Sequence, residues 1–174
     1  MASILNVDQI NNAAGTGAVT IDATTGKPSF PNGAVMPAGS VVQVVNATGN
    51  TETAVGGGTY STWVSTNASI TITPTSSSSK IFITHMAGGL GEFTQSIGLR
   101  LLRGSTATYE SVRYGYQSSS QSWVGIQYPL AYVDSPSTTS ATTYTIQIRH
   151  DNSGAELRHC DNATWSMVAM EIAQ

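Results

Sequence analysis

Charge is what this sequence has least of. Seven basic and ten acidic side chains make up only 10% of its 174 residues, where soluble domains usually carry roughly 25%. The basic residues, Lys27, Lys80, Arg100, Arg103, Arg113, Arg149 and Arg158, are scattered, and the net charge is −3. A phosphate backbone requires a concentrated basic patch, so no nucleic acid is expected as a partner. The single cysteine, Cys160, excludes an intrachain disulfide and suits folding in a reducing cytoplasm. No apolar run reaches the roughly 18 residues of a membrane span, so no membrane is expected either. The opening Met1-Ala-Ser-Ile-Leu-Asn lacks the basic-then-apolar pattern of a secretory signal.

Ser, Thr, Asn, Gln and Gly stand where the charges would be. Helices keep Lys, Glu and Arg on their wet faces, because these favour helix and pair at i,i+4. Thr and Ser in their place point to strands and turns. From Val41 onward the chain reads strand, turn, strand. Val41–Val45, Tyr60–Val64, Ser69–Thr73 and Lys80–Met86 come first, with Thr73–Ser79 as a turn. Ile97–Arg103 alternates at period two; Trp123–Asp134 is the longest candidate, and Tyr144–Ile148 and Trp165–Ile172 complete the set. About eight short strands bounded by Gly, Pro, Asn or Ser imply a β-sandwich or jelly roll. No helical stripe runs over ten residues, and no repeat has a fixed period.

Residues 1–34 differ. Gly, Pro, Asn and Asp divide them into pieces too short for a core, with β-like stretches only at Ile4–Ile10 and Ala18–Ala23. Such a segment is either a disordered tail or an arm that orders on docking to an assembly. The sequence thus divides into an arm (1–34), a linker (35–40) and a knob (41–174).

Tests for chemistry return little. His85 follows Ile83 by two and is expected to point inward as a hydrogen-bonded core histidine. His159 and Cys160 are adjacent, so in a strand they face opposite ways, and the paired spacing of a zinc site is absent. There is no Gly-x-Ser-x-Gly elbow. Gly56-Gly57-Gly58 and Gly88-Gly89-Leu90-Gly91 lack the sequel of a phosphate loop and are read as bends. Asp151-Asn152-Ser153-Gly154 and Asp161-Asn162 read as Asx turns rather than calcium loops. Neither a cofactor nor a metal is expected, and the chain is read as non-enzymatic. Among the aromatics, Tyr109, Tyr114 and Tyr116, with Arg113, fall in a stretch read as a long surface loop, where recognition commonly resides.

Two groups of residues carry a resemblance. Val7-Asp-Gln-Ile-Asn-Asn-Ala-Ala-Gly-Thr-Gly17, leading into Lys27-Pro-Ser-Phe-Pro-Asn-Gly33, resembles the N-terminal signature of fibre-like virion proteins from tailed phages of aquatic bacteria, cyanophages especially. Gly39-Ser-Val-Val-Gln-Val-Val45, Ile70–Ile81, Leu99-Arg-Leu-Leu-Arg-Gly-Ser105, Tyr132-Val-Asp-Ser-Pro136 and Met170-Glu-Ile-Ala173 are similar to the globular domain that follows it. The resemblance spans nearly the whole chain and contains no catalytic motif. It implies an all-β, antiparallel β-sandwich or jelly-roll knob with an extended N-terminal arm. It also implies a homotrimer on the virion surface, made in the host cytoplasm and fastened to a major capsid protein or a tail or baseplate protein. Arm residues Ile4, Leu5, Val7, Ile10 and Phe30 would make that attachment. Because almost no shaft separates Gly33 from Val41, a capsid decoration (cement) protein or very short fibre is favoured. The alternative is a tail-fibre knob reading host surface glycan through Tyr109, Arg113, Tyr114 and Tyr116. A glycan-cleaving enzyme ranks third.

Overall fold

In the computed structural model, residues 9–11, 17–21, 24–26, 28–29, 36–92, 95–117 and 123–174 are described. The chain divides into two compact units, Met1–Met36 and Pro37–Gln174. In the first, β1 (Gln9–Asn11), β2 (Gly17–Ile21) and β3 (Pro28–Ser29) form a small antiparallel sheet in that order. The two β-like stretches of the sequence therefore pair with each other, Gln9 opposite Thr20 and Ile10 opposite Val19. The third strand was not expected.

The second unit holds the remaining strands. In chain order they are β4 (Val41–Gly49), β5 (Thr53–Val55), β6 (Val64–Ile72), β7 (Lys80–Met86), β8 (Gly88–Gly91) and β9 (Gln95–Arg103). Then follow β10 (Thr106–Gln117), β11 (Val124–Gln127), β12 (Leu130–Asp134), β13 (Thr142–His150), β14 (Leu157–His159) and β15 (Trp165–Ile172). One sheet runs β10-β9-β13-β6; the other two run β11-β8-β14-β5 and β12-β7-β15-β4. These last two share one order because each strand of the first continues into one of the second across a short break. Tyr128 N–H donates to Ala87 O (2.9 Å) and Cys160 N–H to Gly88 O (2.7 Å), so pairing carries through the breaks.

Counting each broken strand once gives eight long strands. The first, eighth, third and sixth make one sheet; the second, seventh, fourth and fifth make the other. That is the strand order of a jelly roll. Alternate residues then face inward. Ile70 and Ile72 of β6, Leu99 and Leu101 of β9, and Ile146 and Ile148 of β13 are buried in one core with Ile81 and Ile83 of β7 and Met167 and Ala169 of β15. Burying a side chain of this kind contributes about 1.5–3 kcal/mol.

Three strand expectations are corrected. Tyr60–Val64 is not a strand: a 3-10 turn at Gly57–Thr59 leads through Tyr60 to β6, which begins at Val64. Trp123–Asp134 is two strands, because Pro129 has no N–H for the ladder and Tyr128 turns fully inward. Gly88–Gly91 is a strand rather than a bend. A Cβ on Gly89 would collide with the Arg158 carbonyl and the Tyr128 ring, so glycine is what lets β14 lie close.

Candidate functional site

The expected recognition residues lie on a strand, not a long loop. β10 spans Thr106–Gln117 and pairs with β9 along the edge of its sheet. Its register slips between Ser111, opposite Leu99, and Gly115, opposite Ile97. A bulge of this kind re-aims side chains and blunts an edge strand. Tyr109 and Tyr114 consequently pack against the core. The Tyr109 ring lies 5.8 Å from that of Tyr132, and the Tyr114 hydroxyl donates to Pro129 O. Burial pushes the Tyr114 phenol up from its ordinary value. Only Arg113 and Tyr116 remain exposed, Tyr116 at 66%. Two of the four residues thus serve packing, and the period-two signal that would have revealed the strand is lost at the bulge. Of the attachment residues, Ile10 belongs to β1; Ile4, Leu5, Val7 and Phe30 lie outside the described residues.

Buried polar groups concentrate at three places. At the break between β7 and β8, His85 Nδ1 lies 2.8 Å from Tyr128 O, and its Nε2 lies 3.1 Å from Nε2 of His159. A carbonyl only accepts, so His85 carries its proton on Nδ1 and offers the Nε2 lone pair. His159 must then donate from Nε2, which leaves its Nδ1 bare and without a partner. Burial holds His85 down at about 4. Burial and then the neighbouring His85 hold His159 down at about 3. The inward pointing expected for His85 is found, at 3% exposure. His159 was not foreseen as its partner.

At the far end of β15, Glu171 is fully buried. It accepts from Gln43 Nε2 (2.6 Å) and from both the backbone N–H (2.8 Å) and hydroxyl (2.7 Å) of Thr75. Burial opposes its ionisation, but donors from Gln43, Ser79 and Thr75 outweigh that and hold the carboxyl at about 2. The carboxylate thereby fastens the Thr73–Ser79 turn to the sheet. At the third place, Asp134 accepts from Arg103 Nη1 at 2.8 and 3.0 Å and from the Tyr144 hydroxyl at 2.7 Å. Apart from the bare His159 Nδ1, the groups at these three places are partnered by neighbours that build the fold.

The surface cluster nearest to chemistry surrounds Arg158. Its guanidinium bonds Glu156 and Asp161 (3.2 Å) and lies 4.7 Å over the Trp123 ring. Glu52 is pushed up by a hydrogen bond shared with Asp161, and Asp161 is held down by the same bond. An open hollow of about 410 Å³ adjoins them, lined by Asn50, Glu52, Cys160, Asn162, Ala163 and Thr164. The Cys160 thiol is buried, donates to Ala163 O (2.9 Å) and is pushed up by burial, so it is no poised nucleophile. Cys160 also ends β14, turning left-handed at φ 65°. Among the described residues, no three His, Cys, Asp or Glu side chains are placed to hold a metal.

No protein-family model matches the chain, and no curated protein matches it. Among solved structures, T=1 particles derived from infectious bursal virus match at 13% identity with a TM-score of 0.36, over 89% of this chain and 40% of that one. The infectious bursal disease virus Gx strain matches at 11% with 0.36, over 91% and 43%. The VP2 subviral particle of that virus matches at 11% with 0.35, over 91% and 42%. This chain therefore spans well under two thirds of the length of the chains it matches. At TM-scores this low the likeness carries no argument, and the jelly-roll assignment stands on the strand order alone.

Proposed function

We infer that this protein is a non-catalytic structural component of a virus particle. Its jelly-roll knob lies on the exterior, and its N-terminal unit fastens it to a capsid, tail or baseplate protein. The observation that supports this most is the coincidence of two boundaries. The stretch bearing the fibre-like N-terminal signature lies within a compact unit of its own, Met1–Met36, and the jelly roll occupies Pro37–Gln174. A fold alone does not imply a function; here the fold is joined to a signature whose role elsewhere is attachment. Almost no sequence separates Gly33, where the signature ends, from β4 at Val41, which favours a decoration protein or very short fibre of the phage type. A homotrimer would then present three N-terminal units, and weak contacts would become strong through effective concentration.

Deletion of residues 1–36 tests the reading. The knob is expected to keep its cooperative unfolding transition while losing co-sedimentation with particles stripped of the native protein. Undiminished binding by the truncated chain would refute the assignment.

A further inference from the structure

The two outer faces of the jelly roll have opposite character. On the β10-β9-β13-β6 sheet, the row Glu110–Arg100–Gln147–Ser65 crosses all four strands. It is one polar chain: Arg100 bonds Glu110 and Gln147, and Gln147 donates to Ser65. Across the β12-β7-β15-β4 sheet, the equivalent row is Val133–Phe82–Met170–Val44. Val44 is 55% exposed and Val133 51%. Val168 lies beside this row, and Met86, 51% exposed, lies one row beyond. An antiparallel sheet that faces water alternates apolar in, polar out. The first face follows that rule apart from Leu102 and Ala107, and the second does not.

We propose that the outer face of the β12-β7-β15-β4 sheet is where a second copy of this chain docks. Three observations fit that occupant. First, the paired outward positions of these strands carry a single charge, Lys80 at one end, and interface cores are depleted of charge. A nucleic acid or an anionic membrane has nothing here to bind. Second, among the described residues Phe82 is the only aromatic at the paired outward positions, so the stacked rings that recognise sugars are lacking there. Third, four strands about 4.8 Å apart and seven residues at about 3.3 Å give a face of roughly 400 Å². That supplies the mainly apolar centre of an interface burying about 800 Å² per partner, with Thr84 inside it and Asn46, Thr48 and Ser166 toward its edge. A hollow of about 400 Å³, lined in part by Thr84, Met86, Pro129 and Ala131, opens on the same face. The proposal deepens the reading above and takes from it only that the partner is another copy.

The test uses the full chain in solution. Sedimentation velocity at tens of micromolar is expected to give a multiple of 18.2 kDa. The double variant Val44→Asp, Val133→Asp should fall to a monomer, whereas Ser69→Asp with Thr106→Asp, on the opposite sheet, should keep the wild-type mass. Val133→Cys provides a readout that leaves the interface nearly unchanged, since Cys160 is buried. Its maleimide labelling should be slowed more than tenfold relative to Asn67→Cys. A monomeric wild type, a double variant of unchanged mass, or equal labelling rates would overturn the proposal. Particle attachment is read separately, so loss of that reading would leave these outcomes standing.

Discussion

His85 and His159, both buried, meet through one proton. The ordinary histidine value is 6.5, and the folded values are about 4 and about 3. The unfolded chain thus takes up protons that the folded chain refuses. Stability from this pair is complete above about pH 6.5 and is lost as the pH falls toward 4 and then 3, by on the order of 3 kcal/mol per ring. Glu171, held at about 2 against an ordinary 4.5, acts in the same direction at lower pH. The urea midpoint should therefore be constant between pH 7 and 8 and fall steadily from pH 6.5 to 4.5. A midpoint flat down to pH 4.5 would contradict the burial of both rings in their neutral form. The inward direction of His85 was legible because Ile81, Ile83 and His85 alternate at period two. Its partner was not, because His159 lies 74 residues away and only the sheet order brings the two together.

Among elements, β8 shows how a glycine-rich stretch can be misread. Gly88, Gly89 and Gly91 suggested a bend, since glycine in a strand forfeits side-chain packing. Here Gly89 lies opposite both His159 and Ile126, and its missing Cβ is what permits the close approach of β14. Gly89→Ala should cost about 1–3 kcal/mol through overpacking against backbone. Gly125→Ala, with open space around it, should cost much less. Equal denaturation midpoints for the two variants would refute the crowding argument. β10 carries the converse lesson: this twelve-residue strand reads as a loop in the sequence because its bulge near Tyr114 interrupts the alternation. The strands β7, β9 and β15 were legible to within two residues, whereas only the second half of β6 was. Glu171 gave no signal at all, because one carboxylate at a strand end looks like any solvated charge until the Thr73–Ser79 turn is seen folded onto it.

For the whole molecule, composition alone gave the class. Ser and Thr in place of charge specify strands, and eight strands with one apolar face each close into two sheets. What composition does not carry is pairing: the first strand lies beside the eighth and the second beside the seventh, contacts between residues over a hundred positions apart in the case of Gln43 and Glu171. Nor does it reveal that one outer face stays apolar while the other is a ladder of hydroxyls and charges. The functional account joins that knob to a separate N-terminal unit and assigns the pair to the outside of a virus particle. Immunogold electron microscopy on intact source particles tests this most directly. The account predicts dense label at a fixed position on the particle surface, over the head for a decoration protein. Particles that remain unlabelled, while the protein is detected free in the lysate, would contradict it.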